Sequence, residues 1–113
     1  MTDPKFQVFK DSAGEFRFRL RSKGNGEIIL QSTEGYDSKQ GCLKGIASVK
    51  ANAPIDARYK RLNSTSNQYY FRLDASNGEP LGRSEMYNST QARENGIAAV
   101  KRDAPDAPIE DLT

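Results

Sequence analysis

Three arginines alternate with apolar residues in the segment Glu15–Ser22, EFRFRLRS. With a period of two, Arg17, Arg19 and Arg21 share one face of a strand, and Phe16, Phe18 and Leu20 the other. A related segment, QYYFRLD at Gln68–Asp74, presents Tyr70, Arg72 and Asp74 at the matching positions. Arg17, Arg19, Arg21, Tyr70 and Arg72 would then combine cations with an aromatic ring. That chemistry binds the phosphates of nucleic acid and stacks a base. The plainer alternative is a solvated strand face, its arginines paired across strands to Glu15, Glu27 or Glu79. The second segment replaces two of the three arginines by Tyr70 and Asp74, which favours the solvated face.

Other chemistry is scarce. The chain has no histidine and one cysteine. The commonest general base, the commonest metal ligand and the usual zinc sites are therefore missing. Cys42 falls near the start of a helix, where the helix dipole lowers a thiol pKa. Its counterpart in the second half is Arg93, so a small, partly buried helix residue is the expected role. Tyr36 and Tyr87 each precede a helix cap and are expected to brace the start of the helix. Glu27 and Glu79 form a symmetric pair, but each follows a tight turn, where side chains are exposed. Acid–base work needs a carboxyl in a pocket that raises its pKa. No phosphate-cradling glycine loop or nucleophile–base pair is present. No catalytic, metal-binding or cofactor-binding residues are assigned, and enzymes are the least favoured class.

The elements that must position these groups are written twice. FRL occurs at Phe18–Leu20 and Phe71–Leu73, NGE at Asn25–Glu27 and Asn77–Glu79, and GIASVKANAP (Gly45–Pro54) answers GIAAVKRDAP (Gly96–Pro105). Three motifs in the same order mark a tandem duplication of a unit of roughly 50 residues. Each unit reads as three strands and a helix. In the first they are Phe6–Lys10, Glu15–Arg21 and Glu27–Ser32. In the second they are Ala57–Leu62, Gln68–Asp74 and Glu79–Ser84. The NG turns predict hairpins with both central residues at positive φ. Asp37 or Ser38, and Asn88 or Ser89, cap the helices, and Pro54 and Pro105 end them. Gly45 and Gly96 sit mid-helix, where glycine costs about 1 kcal/mol against alanine. The helix backbone is expected to pack there too closely for a Cβ.

A 113-residue chain is one domain, here 6–54 and 57–105 plus 106–113 as an acidic tail or short edge strand. One unit alone buries too little, so the two must share a core. The expected fold is α+β: one antiparallel sheet from both halves, related by an approximate two-fold. Both helices cover one face, over Phe16, Phe18, Leu20, Tyr69, Phe71 and Leu73. No apolar run approaches the ~18 residues of a membrane span. The N-terminus lacks the pattern of a leader, and one cysteine suits a reducing, cytoplasmic setting. Net charge is +2, and the residues from Asp103 onward carry four acids and no base. That tail could form a strand, stay loose, or cover the basic face in competition with an anionic partner.

These repeats, with FKDSAGEFRFRL, NGEIILQSTEGYDSK and GIASVKANAP in order, resemble the YegP-like family, small bacterial proteins built from one or two such units. The resemblance covers about Phe6 to Pro105. It implies a duplicated β3α unit in a single antiparallel sheet flanked by helices. It also implies a strand after each helix that is exchanged between the halves; API recurs at Ala53–Ile55 and Ala107–Ile109. Pro80 departs from the first copy and suggests that its strand lies at an edge. The resemblance supplies no function and no site residues. The expectation is a small soluble binding or interaction module without enzymatic activity. Weak binding of RNA or single-stranded DNA is one form of it. A self-associating structural protein, a monomer with pseudo-dimeric symmetry or a weak homodimer pairing through exposed strand edges, is the rival.

Overall fold

The computed structural model describes residues 3–113, so Met1 and Thr2, the start of the stretch read as lacking a leader, lie outside it. In chain order the elements are β1 (Lys5–Lys10), β2 (Phe16–Arg21), β3 (Ile28–Ser32), α1 (Lys39–Asn52), a 3-10 turn (Asp56–Arg58), β4 (Tyr59–Asn63), β5 (Tyr69–Asp74), β6 (Pro80–Arg83), α2 (Thr90–Asp103) and β7 (Ile109–Asp111). The seven strands form one sheet in the order β4-β5-β6-β3-β2-β1-β7. The halves β4-β5-β6 and β3-β2-β1 mirror each other about the β3–β6 pair, where Gln31 faces Arg83 and Ser32 faces Gly82. This is the approximate two-fold that the repeats predict.

Alternation decides the faces. Phe18 and Leu20 of β2 and Phe71 and Leu73 of β5 are fully buried. They meet Ile46 and Val49 of α1 and Ile97 and Val100 of α2 in one core. Ser38 and Ser89 cap the helices, each hydroxyl accepting the backbone N–H three residues on, at 3.0 Å. Helix α1 lies over β2 and reaches β6, while α2 lies over β5 and reaches β3. Each helix thus bridges the join between repeats.

The mid-helix glycines have a specific cause. A Cβ on Gly45 would lie 2.5 Å from Tyr36 Oη and 3.3 Å from Phe18 Cε2. A Cβ on Gly96 would meet Tyr87 Oη, and would lie 2.7 Å from Tyr87 Cζ and 3.2 Å from Phe71 Cε2. Tyr36 stacks on Phe18 and Tyr87 on Phe71, at interplanar angles of 25° and 10°. The backbones of these tyrosines pair with Phe16 and Tyr69. Each tyrosine is wedged between a sheet phenylalanine and a bare stretch of helix.

Three expectations are corrected. The sheet is mixed, because β7 runs parallel to β1. β6 is central, not an edge; Pro80 is tolerated as its first residue, beside the irregularity between Leu73 and Asp74 of β5. In the NG turns only the glycines, Gly26 and Gly78, take positive φ. Asn25 and Asn77 instead accept the backbone N–H of Glu27 and Glu79 with their side chains, at 3.1 and 3.0 Å.

The tail forms the outermost strand beside β1. Phe6 N–H donates to the Pro108 carbonyl and Leu112 N–H to the Val8 carbonyl, both at 2.8 Å. Lys39 pairs with Asp111 at 2.7 Å and Lys5 with Glu110 at 3.2 Å. These contacts hold both carboxyls below their ordinary values, chiefly through Lys39 for Asp111 and Gln7 for Glu110. A depressed carboxyl pKa adds stability above the unfolded value of ~4 and loses it as pH falls through the folded value. Acidification from pH 6 to pH 2 therefore loosens β7. Hydrogen exchange corrected for intrinsic rate should show the Leu112 amide losing protection before that of Phe18. Equal protection across that range would show that these pairs do not hold the strand.

Candidate functional site

The face of the sheet opposite the helices carries one residue per strand in a continuous transverse row. Directly paired residues point to the same side. The pairs run Lys60 to Arg72, Arg72 to Arg83, Arg83 to Gln31, Gln31 to Arg19, Arg19 to Gln7 and Gln7 to Glu110. The row is cationic from β4 to β6, neutral at Gln31 of β3, cationic again at Arg19 and acidic at β7. Lys60, Arg72 and Arg83 stand directly beside one another, although like charges opposed across strands are destabilising.

The charges in this row differ in what holds them. Arg72 makes a two-point pair with Asp74, at 2.8 and 3.2 Å, which raises its pKa. Arg17 pairs with Asp11 at 2.7 Å, and that hydrogen bond lowers the Asp11 pKa. Gln7, itself buried, accepts from Arg19 Nε and Arg21 Nε at 2.8 Å each and donates to Glu110 at 2.6 Å. The Arg19 guanidinium also lies over the Phe9 ring, 4.6 Å from its centre. The side chains of Lys60 and Arg83 make no hydrogen bond or ion pair among the described residues, and both are exposed.

Arg17, Arg72 and Arg83 border a depression of about 490 Å³, with Tyr70 and Leu62 as its apolar wall. Thr33 Oγ1 donates to the Pro80 carbonyl beside it, at 3.1 Å. Of the five candidates, Arg17, Tyr70 and Arg72 are brought together, while Arg19 and Arg21 lie outside this depression. None of these arginines is paired with Glu15, Glu27 or Glu79; Asp11, Gln7 and Asp74 hold them instead. Short-range turn geometry explains this: Asp11 caps its own turn, accepting from Ala13 and Glu15 N–H. Arg83 and Lys60 were not legible as members of the site. Arg83 faces Gln31, its own duplicate, across the two-fold, so repeat alignment gives it no cationic partner.

The remaining candidates take structural places. Cys42 is fully buried and its thiol is pushed up to about 11 by burial. Burial likewise pushes Tyr87 up to about 12, with smaller contributions from Glu85 and Glu27. Glu27 and Glu79 are exposed. Each acts on the other repeat's tyrosine, Glu27 on Tyr87 and Glu79 on Tyr36. Among the described residues no cluster of carboxylates and thiols is arranged to hold a metal. Among the described residues no helix is long and apolar enough to cross a membrane.

The model of a domain of unknown function, DUF1508, matches residues 11–59 and again 64–111. The chain belongs to the DUF1508 family. A UPF0339 protein of Bordetella pertussis is 55% identical over 106 residues, 94% of each chain. The UPF0339 protein YegP of Escherichia coli is 44% identical over 108 residues, 96% of each. The solution NMR structure of E. coli yegP matches with a TM-score of 0.91 at 42% identity, over all of this chain and 96% of that one. That of a UPF0339 protein from Shewanella oneidensis matches with a TM-score of 0.90 at 42% identity, over 99% and 93%. None of these names or descriptions assigns a reaction.

The DUF1508 matches run from the second strand of each half past its helix. In that frame the segment after each helix crosses to the other half. After α1 it becomes β4, beside β5; after α2 it becomes β7, beside β1. Strand β1 stands before the first match and takes the place that mirrors β4, so β7 is displaced one position outward.

Proposed function

We propose that the chain is a small binding module that holds single-stranded nucleic acid on the open face of its sheet. The observation that carries this is the run Lys60–Arg72–Arg83, three cations in adjacent strands of which, among the described residues, only the middle one has a counterion. Opposed like charges weaken a sheet. A face that keeps them, next to an apolar wall of Tyr70 and Leu62, suits phosphates that neutralise the charge and a base that stacks on the ring. The depression offers guanidinium groups and a phenol without a nucleophile–base pair, so binding rather than a reaction is the reading. The single buried thiol, Cys42, suits a reducing, cytoplasmic setting.

Self-association through strand edges finds less support. On the outer edge of β4, Tyr59 N–H is already bonded to Asp56, and Arg61 is tied to Glu94 and Asp56. The other edge, β7, is three residues long. Short, charged edges resist pairing between chains.

The test is fluorescence anisotropy with labelled dT10 and a mixed RNA at 50 and 200 mM salt. Binding should weaken as salt rises, and Arg83→Glu should reduce affinity about tenfold or more through loss of a phosphate contact. The variant should melt no lower than the parent, because it replaces opposed like charges by an attractive pair with Arg72. Binding indifferent both to salt and to Arg83→Glu would refute the reading. A concentration-dependent dimer without nucleic acid would support the rival.

A further inference from the structure

Resting on that reading of the face, we propose that it holds only two or three nucleotides, over the β4–β5–β6 half, with the ligand running across the strands. The duplication supplied two corresponding but unlike half-faces, and in one of them the ring is covered by the chain's own Arg19.

The comparison of the halves carries this. Tyr70 and Leu62 are direct cross-strand neighbours on β5 and β4; their counterparts on β2 and β1 are Arg17 and Phe9, also direct neighbours. No ring or guanidinium lies on Tyr70 among the described residues, so its face is available to a base. Phe9 is covered by Arg19. Among the described residues the β1–β2 half therefore has no free ring on this face on which to stack a base.

The cations follow the same division. Among the described residues Lys60 and Arg83 have no side-chain partner, whereas Arg19 and Arg21 are both committed to Gln7 and Arg17 to Asp11. Past the two-fold the row continues as Gln31, Arg19, Gln7 and Glu110, and Glu110 sets a carboxylate where a further phosphate would lie. Adjacent strands are about 4.8 Å apart, so Lys60 to Arg83 spans roughly 10 Å, room for about two phosphates around one base. The depression beside them, about 490 Å³, is of the size of a small-ligand site, not of a channel along the whole face.

The experiment uses the full chain with an oligothymidylate series from one to ten nucleotides. Affinity should rise to about three nucleotides and then level off. The slope of log affinity against log salt on dT10 should lie between about −1.4 and −2.1, two to three phosphates at about 0.7 each. Tyr70→Ala should weaken binding about tenfold, and Arg19→Ala should leave it unchanged within about twofold. Affinity that still climbs at eight nucleotides, with a slope steeper than about −3.5, would overturn the short footprint while leaving the face as the binding surface. Equal losses from Arg19→Ala and Arg83→Ala would do the same. No binding at any length would overturn both.

Discussion

Gly96→Ala lowers the stability of the chain by about 2 kcal/mol, a fall of roughly 10 °C in melting temperature for a domain of this size. In an ordinary helix the change would be favourable by about 1 kcal/mol, because alanine loses less conformational freedom. Here the new methyl lands on the end of the Tyr87 ring and 3.2 Å from Phe71 Cε2. The tyrosine cannot swing aside at low cost, since it is stacked on Phe71 and its backbone is paired with Tyr69. Removing the hydroxyl in Tyr87→Phe should recover part of the loss, and a double-mutant cycle would measure the coupling. Gly45→Ala should behave alike against Tyr36. An unchanged or raised melting temperature for Gly96→Ala would show that the ring gives way and that the close approach has no energetic consequence.

Truncation after Pro105 is expected to destabilise by about 3 kcal/mol. It removes the hydrogen bonds that Pro108 and Leu112 make to β1 and uncovers the flank of Phe6 and Val8, both fully buried. It also removes Ala107, which is 1% exposed. The exposed pairs to Lys5 and Lys39 add little of this, because surface ion pairs are worth little in water. Chemical denaturation of the truncated and full chains makes the comparison. Equal midpoints would mean that the segment is a loose tail. In the truncated chain Gln7 also loses Glu110, so the salt slope of nucleic-acid binding should steepen as the Arg19 end of the row opens.

The strand and helix positions were legible because each rests on short-range physics. Alternation in EFRFRLRS, serine caps and prolines act within a few residues, and the second copy repeats the signal. The burial of Phe18, Leu20, Phe71 and Leu73 followed from the same alternation. What escaped was set by neighbours distant in sequence. Pro80 read as an edge residue, yet a proline at the first position of a strand can lie anywhere in a sheet. The partners of Arg19 and Arg21 escaped because Gln7 reaches them across a hairpin and Glu110 reaches Gln7 from the far end of the chain.

By itself the sequence determined the repeat unit, its faces and the need for two copies to share one core, since hydrophobic period and turn chemistry are local and were written twice. Only the tertiary structure decided that Lys60, Arg72 and Arg83 stand side by side, that Phe9 is covered while Tyr70 is not, and that an acidic strand closes the far edge. Strand order and register bring those residues together, and both depend on where the chain crosses between halves rather than on any segment alone.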